Sequence, residues 1–447
     1  MRTRIDYGIY LGVDFCQLAR MENGIPVIVK SDVVKDAMPL CVHFNKKRDT
    51  IVGDAACNVI KCDNARALKT FEKFNSNSFI GFTRTLGTTV LYQSSNMGRG
   101  FTSEELLSEC FKKIKSFVRD ENLSSIVITV PAKFQNPQKE ATVQAAHLAG
   151  FKYVELLQEP VAAAIAYGLT AKNKNCYILI FNFGCGTFNA SLIKSEERIL
   201  SLMDTEDDNW LGGKNIDEAI VDQIIIPYLQ KNYEIDNIIS DTNKKEMLKN
   251  AVKFYAEEAK KKLYYNNSHN ILSDLGVLPF EDENGDEPEI DIELSQKDFA
   301  WVAKPIYQKA IGISVDLLKR NNLNGKDIQN ICLVGEETFS PILRRMLKEQ
   351  ISENIDTSVD PITVVAKGAA LFASTISLPE KLKIVNSQTI GALCGIFVNF
   401  YAENSTMGKD RFSFLLKELM CVENDTVSQD EKLNVIDIVN KEMLKWK

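Results

Sequence analysis

Histidine and paired cysteine motifs are scarce in this sequence of 447 residues. It has three histidines, at positions 43, 147 and 269, and ten cysteines, none of which are spaced as C-x-x-C. Structural zinc sites need several such ligands at short spacing, and disulfide frameworks belong to oxidising compartments. We therefore expect neither kind of site, and we predict reduced thiols in a cytoplasmic protein.

Long apolar runs and an excess of positive charge are also absent. The sequence contains no run of eighteen apolar residues, the length that a membrane-spanning helix requires. The stretch Met1–Tyr7 has no apolar segment ahead of a cleavage site. The formal net charge is −7, whereas proteins that neutralise nucleic-acid phosphates present a basic face. We expect no membrane partner, no secretory signal and no nucleic-acid partner.

The composition is typical of a globular protein with more than one core. Hydrophobic residues at 45% and charged residues at 25% fit a folded chain, and 447 residues exceed the usual size of one core. Apolar runs of strand length alternate with helical patterns, such as a helix predicted over residues 103–120 with Ser103 as its cap. This alternation predicts an α/β fold in two lobes.

The stretch Ile180–Asn189 contains a pattern typical of a phosphate-binding turn. It reads as the end of a buried strand, a glycine turn at residues 184–186 and the start of a second strand. Backbone N–H groups at such a turn can hold a phosphate, and a flanking carboxylate normally holds the accompanying magnesium. Because the flanking residues are Asn182 and Asn189, the pattern indicates a phosphate site without its metal-binding charges.

A second strand–turn–strand pattern occurs in residues 7–21. An overlay of the two stretches matches three positions: Tyr10 on Asn182, Gly12 on Gly184 and Gln17 on Asn189. This weak internal repeat predicts two similar lobes that face each other across a cleft.

Five stretches, one of them within Ile180–Asn189, follow in order along the chain: Ile128–Phe134, Gln158–Ala164, Phe183–Phe188, Leu211–Gly213 and Val365–Ala370. Together they resemble the nucleotide-binding half of the DnaK-type chaperones, the seventy-kilodalton heat-shock family, over residues 7 to about 376. The resemblance implies the actin-like ATPase fold, with two lobes around an ATP cleft. It places lobe I in residues 1–176, lobe II in residues 177–377, and a linker with a short C-terminal segment in residues 378–447.

The resemblance also marks five positions where the family's residue is replaced. Tyr10 and Asn182 stand for acids near the magnesium, and Asn189 stands for the acid after the second hairpin. Thr83, aligned through Phe82–Gly87, stands for the catalytic lysine. Val13 replaces a threonine of the first turn. Four charged groups are therefore missing from one site.

Other site residues are kept. Glu159 resembles the family's water-positioning glutamate, and Thr187 is the second kept catalytic position. Asp14 adds a negative charge beside the first turn and is an alternative metal ligand. The glycines assigned to ligand binding are Gly12, Gly184, Gly186, Gly212 and Gly213.

The adenosine end is altered as well. The residues assigned to it by resemblance are Glu257, Lys260, Lys261, Tyr264, Gly335, Glu336 and Phe339. Tyr264 stands where a small hydroxyl residue is usual, and Glu336 replaces the second glycine of a pair that lets adenosine approach. Phe339 replaces a stacking arginine and could itself stack on a base.

These replacements predict a chaperone-like protein whose ATP hydrolysis is lost or very weak, because phosphoryl transfer depends on charge stabilisation. Binding of ATP or ADP stays open. We assign no metal ligands and do not expect magnesium to bind in the usual way. The alternatives are an ATP-binding chaperone with weak ATPase activity, or a phosphotransferase of the actin-like superfamily that uses Asp14 or Glu159.

The expected partners are proteins: a co-chaperone, a catalytically intact relative or a client. In the family a β-sandwich and a helical lid follow the linker. Residues 378–447 are too few for both, so we expect a remnant of this region, a fragment of the sandwich or a docking module.

Overall fold

The computed structural model describes residues 4–72, 76–118, 123–168, 175–197, 199–273, 277–378, 387–403, 408–422 and 427–445. We use lobe I for residues 4–168, lobe II for residues 175–378 and tail for residues 387–445. The architecture is mixed α/β, as the sequence predicts.

Lobe I is built on one large sheet. Its strands β1–β11 are Tyr7–Leu11, Phe15–Glu22, Ile25–Val29, Met38–Pro39, Cys41–Phe44, Thr50–Val52, Ser78–Ile80, Tyr92–Ser94, Arg99–Phe101, Ser125–Val130 and Tyr153–Gln158. Its helices α1–α4 are Asp54–Thr70, Ser103–Lys115, Asn136–Leu148 and Glu159–Ala166. The large sheet has the order β11-β10-β1-β2-β3, with β4 also paired to β2. Strand β1 is parallel to β10 and antiparallel to β2.

Helix α2 shows how local sequence sets an element boundary. The hydroxyl of Thr102 accepts the N–H of Glu105, and the Glu105 carboxylate accepts the N–H of Thr102 at 2.9 Å. This capping box makes Thr102 the cap. The prediction of Ser103 as the cap is therefore wrong by one residue, and the helix ends at Lys115 rather than near residue 120.

Lobe II repeats the plan around a second sheet. Strands β12–β18 are Cys176–Phe183, Phe188–Glu196, Ile199–Asp208, Ser268–Leu272, Asp291–Ser295, Ile328–Val334 and Ile355–Asp356. Helices α5–α11 are Gly213–Ile220, Ile226–Asn232, Asp236–Ser240, Thr242–Leu263, Gln296–Arg320, Pro341–Gln350 and Val364–Ala373. The sheet has the order β14-β13-β12-β17-β18, and β15 pairs with β16.

The strand register confirms the internal repeat. Tyr10 lies opposite Gln17 in the β1/β2 hairpin, just as Asn182 lies opposite Asn189 in β12/β13. Each turn closes with the same backbone bond at 3.0 Å: Gly12 N–H to Phe15 O, and Gly184 N–H to Thr187 O. The two hairpins are therefore equivalent structural elements, one from each lobe.

Two helices are exchanged between the lobes. Helix α4 packs on β12, β13, β14 and β17 of lobe II, whereas α11 packs on β1, β2, β3 and β10 of lobe I. They also pack on each other, where a Cβ at Gly368 would lie 1.8 Å from Ala162 O. A Cβ at Gly8 would lie 2.5 Å from the Ala369 carbonyl carbon. Glycine at these positions lets backbone meet backbone, which joins the lobes at the base of the cleft.

The lobes also meet at their far ends, where α1 packs on α8. Leu68 of α1 is fully buried within the hydrophobic core of lobe II. Phe71 packs edge-on against Phe280, with ring centroids 6.0 Å apart. The cleft is thus closed by apolar contacts at this end.

The described tail residues form helices α12–α14, Ser387–Glu403, Lys409–Cys421 and Gln429–Lys445. They share a small apolar core of their own that includes Ile390, Phe397, Leu415 and Val439. No strand occurs in the described part of the tail, so the expectation of a β-sandwich fragment is wrong for those residues. The linker is predicted to begin at residue 378, and its residues 379–382 lie outside the described residues. A search of the described residues finds no helix with the length and apolarity to cross a bilayer.

Candidate functional site

Four segments of the chain meet at Gly186, in the turn of the second hairpin. A Cβ at Gly186 would lie 3.0 Å from Arg84 Nη2, 3.3 Å from Asp14 Oδ2 and 3.7 Å from Lys214 Cδ. Arg84 belongs to the short 3₁₀ helix Phe82–Thr85, and Asp14 to the first hairpin. The structure therefore brings both predicted glycine turns to one cleft, and it adds two cations that sequence reasoning missed.

The predicted glycine pair, Gly212 and Gly213, packs against the turn of the second hairpin. Gly213 N–H donates to Gly184 O at 3.0 Å, and Lys214 N–H donates to Cys185 O at 2.7 Å. A Cβ at Gly212 would lie 2.7 Å from Cys185 O. These two glycines thus hold the turn by backbone contact.

Tyr10, Asn182 and Glu159 lie together at the catalytic end of the cleft. Asn182 Nδ2 donates to Glu159 Oε2 at 3.1 Å. Burial raises the pKa of the Glu159 carboxyl to about 8, against the opposing effect of this hydrogen bond. Burial, followed by the nearby Glu159 and Asp14 carboxyls, raises the pKa of Tyr10 well above its ordinary value. At pH 7 all three side chains are therefore mainly uncharged.

We expect the substitution Glu159→Gln to remove a pH dependence of stability. The folded protein keeps a proton on Glu159 up to about pH 8, whereas the unfolded carboxyl ionises near pH 4. Unfolding therefore releases a proton between these values, so wild-type stability falls as pH rises, by about 1 kcal/mol per pH unit. Glutamine stays neutral and lacks this slope. Urea unfolding of both proteins from about pH 5 to about pH 8 measures the free energy of unfolding as a function of pH. If this free energy had the same pH dependence in both proteins, Glu159 would not be neutral in the folded state.

The side chains at two other replaced positions, Asn189 and Thr83, form hydrogen bonds with neighbouring residues. Asn189 Nδ2 donates to Thr205 Oγ1 at 2.8 Å, and Ser191 Oγ donates to Asn189 Oδ1 at 2.7 Å. Buried Thr83 donates its hydroxyl to Val13 O at 3.0 Å. Sequence reasoning missed Ser191 and Thr205, although their polar side chains on paired strands were a usable signal.

Two cavities lie beside the place where the four segments meet at Gly186. The first lies between the hairpins and has a volume of about 30 Å³, enough for about two water molecules. The second lies at the catalytic end and has a volume of about 460 Å³. Every predicted catalytic or replaced position lines the second cavity: Tyr10, Val13, Thr83, Glu159, Asn182, Thr187 and Asn189. The sequence-based grouping of these residues therefore matches the geometry.

The predicted adenosine end contains a buried polar cluster. Lys260 Nζ lies 2.9 Å from both Asp217 Oδ1 and Glu337 Oε1, and all three side chains are at most 2% exposed. Tyr264, also buried, donates its hydroxyl to Glu337 Oε2. Burial lowers the pKa of Lys260, but Glu337 and Asp217 outweigh it and raise that pKa well above its ordinary value. Burial raises the pKa of Asp217 to about 6, even beside Lys260. Asp217 and Glu337 were not predicted.

The rim of this end is partly exposed. Lys261 pairs with Glu257 at 2.9 Å and with Glu336 at 3.2 Å. Phe339 packs against Tyr265, with ring centroids 5.9 Å apart, and the Arg344 guanidinium lies 5.5 Å from its ring. Gly335 has φ of 91°, and a Cβ there would lie 2.2 Å from Phe183 O. The predicted adenosine residues thus lie in one region. Lys261 pairs with two other predicted residues, whereas the rest contact residues that were not predicted.

The family of this chain follows from its similarity to known proteins. A model of the Hsp70 protein family matches residues 6–409. The chain belongs to the Hsp70 family. Similar Hsp70 relatives include the chaperone protein DnaK of Metamycoplasma hominis, 31% identical over 376 residues, which are 83% of this chain and 59% of that protein. DnaK of Ureaplasma urealyticum and of Ureaplasma parvum are each 30% identical over 382 residues, again 59% of the relative. The matched part of this Hsp70 chain therefore spans less than two thirds of those relatives.

Hsp70 membership implies ATP or ADP with magnesium in this cleft, but the residues present do not fit that group. At the adenosine end, Lys260, Glu337 and Tyr264 already satisfy one another. At the metal end, Tyr10 and Asn182 offer no carboxylate, although magnesium prefers anionic oxygen ligands. The carboxylate of Asp14 lies nearby, but its Oδ1 already accepts from Lys214 Nζ.

Proposed function

We propose that this Hsp70-family chain acts as a chaperone-like protein that binds other proteins and has lost efficient ATP hydrolysis. The observation that carries this proposal is the absence of charge at the seven cavity-lining positions named above. Apart from Glu159, whose pKa of about 8 keeps it protonated at pH 7, they carry no ionisable acid or base that is charged at that pH.

The physical argument concerns the transition state of phosphoryl transfer. Its charge is stabilised mainly by preorganised metal ions and cations, so their loss removes the main catalytic effect. The loss of even one such group commonly costs about a hundredfold in rate. With a threonine at position 83 and no acid at positions 10, 182 and 189, we expect negligible turnover.

One observation favours a second candidate, a weak magnesium-dependent ATPase or phosphotransferase. Asp14 Oδ2 is buried and makes no hydrogen bond to the described residues, which would suit a metal ligand. Its other oxygen, Oδ1, accepts from Lys214 Nζ, and this pairing competes with a metal for the carboxylate. We therefore keep this candidate second.

The proposed partners are a co-chaperone, a catalytically intact relative or a client, and the proposed location is the cytoplasm. The residue boundaries 1–176, 177–377 and 378–447 remain our proposal for the domain division. The tail helices, which have their own core, are a proposed docking module or remnant of the family's C-terminal region.

The test combines phosphate release with thermal unfolding in ATP or ADP, each with and without magnesium. We expect wild-type phosphate release to equal that of buffer. The matched variant carries Tyr10→Asp, Thr83→Lys, Asn182→Asp and Asn189→Asp, which restores the four charges. Magnesium-dependent release by the wild-type protein that Asp14→Asn abolishes would overturn the proposal in favour of the second candidate. A ligand at a hundredfold over its Kd would add about 2.7 kcal/mol to stability, so binding is separately visible.

A further inference from the structure

Arg84 of lobe I contacts lobe II beside the turn of the second hairpin. Its Nη2 donates to Gly186 O at 3.0 Å and its Nη1 to Asn209 O at 2.5 Å. Its guanidinium also lies 4.7 Å from the centroid of the Trp210 ring. Arg84 belongs to lobe I and all three contacts belong to lobe II, so this one side chain connects the two sides of the cleft.

Lys214 makes a second link in the opposite direction. It projects from lobe II and donates its Nζ to Asp14 Oδ1 in the first hairpin of lobe I. Burial lowers the pKa of Lys214, but Asp14 and Cys185 outweigh it and raise that pKa. The ammonium therefore stays charged. Charge-assisted hydrogen bonds of this kind are stronger than neutral ones.

The space directly between the two hairpins is small. The cavity between the hairpins, about 30 Å³, holds about two waters and no group of the size of a diphosphate. Lys133 of lobe I adds a third link at the edge of the cleft, with Nζ 2.8 Å from Glu206 and 2.5 Å from Asp207 of lobe II.

We propose that Arg84 and Lys214 are an internal substitute for nucleotide phosphates, holding the hairpins together so that the cleft stays closed without nucleotide. This proposal rests on the proposed function and deepens it, because it states which ligands the cleft excludes: nucleoside diphosphates and triphosphates. A phosphate at this position would have to displace Arg84 from two carbonyl oxygens and Lys214 from Asp14. At the other end, the nucleoside would have to separate Tyr264 from Glu337.

Hydrogen exchange of the full chain tests the proposal through Arg84→Ala and Lys214→Ala. We expect amide exchange in peptides that cover residues 8–18 and 183–190 to become about tenfold faster in each variant, since each loses a charge-assisted link. Arg84→Lys, which keeps the charge but not the fork of donors, should give an intermediate rate and also serves if the alanine variant folds poorly.

Matched controls exist for both residues. Like Arg84, Arg99 donates to a backbone carbonyl and contacts an aromatic ring, but within lobe I: Gly100 O at 3.1 Å and the Phe101 ring at 3.7 Å. It also pairs with Glu105 at 2.9 Å. Lys253 pairs with Glu218 within lobe II. We expect Arg99→Ala and Lys253→Ala to leave exchange in the hairpins unchanged.

Nucleotide addition separates this proposal from the loss of hydrolysis. We expect no change in wild-type thermal unfolding or hairpin exchange with ATP or ADP, with or without magnesium. If ATP stabilises the wild-type protein and Arg84→Ala abolishes the effect, the cations bind phosphate and the internal-substitute proposal is wrong, even where hydrolysis is absent. Equal hairpin exchange in Arg84→Ala, Lys214→Ala and wild type would overturn it as well.

Discussion

The substitution Lys260→Met is expected to lower the free energy of unfolding by about 3–5 kcal/mol. Lys260 is the cation of a buried cluster, within 2.9 Å of the carboxylates of Asp217 and Glu337. Methionine fills a similar volume but leaves two buried carboxyls without a positive charge. They must then take up protons or stay charged in a poorly solvated site, and both outcomes cost stability. Urea or guanidinium unfolding followed by circular dichroism measures the loss.

The neighbouring lysine provides the control. Lys261 makes ion pairs of similar length with Glu257 and Glu336, but its side chain is 42% exposed. Exposed pairs contribute about 1 kcal/mol or less, so Lys261→Met should change stability by no more than that. If Lys260→Met and Lys261→Met lowered the free energy of unfolding equally, burial could not explain the contribution of the Lys260 cluster to stability.

The substitution Gly368→Ala is expected to destabilise the protein by about 3 kcal/mol, the upper end of the usual range for overpacking. The new methyl group would lie 1.8 Å from Ala162 O, which is backbone on the facing helix and cannot rotate away. Helices α4 and α11 must then separate, and both also pack on the sheets. Thermal or urea unfolding of the full chain measures the change.

A second helical glycine is a direct control for Gly368→Ala. Gly312 lies in α9, and a Cβ there would meet no atom within 4 Å among the described residues. Gly312→Ala should therefore be neutral or stabilise by up to about 1 kcal/mol through helix propensity. Destabilisation by Gly312→Ala as large as that by Gly368→Ala would contradict a specific close approach of α4 and α11.

The hairpins were predictable from sequence because their signal is local. A buried strand, a glycine turn and a second strand are encoded within about ten residues, and the overlay of Tyr10 on Asn182 is matched by the observed register. The family's motifs then grouped residues as distant as Thr83 and Asn189, which line one cavity. Local pattern and motif order together were enough to predict the fold and to group these residues around one cavity.

The partners of those residues were not predictable, because they depend on long-range contacts. Nothing near Lys260 in the sequence indicates that Asp217 and Glu337 will enclose it. Arg84 and Lys214 are adjacent to predicted positions, Thr83 and Gly213, but only the closed cleft shows that they cross it. The tail was difficult because α12 has no charged residue from Ser387 to Ala402, and so lacks the polar face that identifies an amphipathic helix.

The exchange of α4 and α11 affects the order in which parts of the chain can fold during synthesis. Synthesis proceeds from the amino terminus, and domains commonly fold as they emerge from the ribosome. One face of the lobe I sheet is not covered until α11 has been synthesised, and α11 begins just over 200 residues after the last strand of that sheet. We expect the apolar residues of that face to be exposed to solvent while lobe II is being made. We expect the two lobes to complete their folding together.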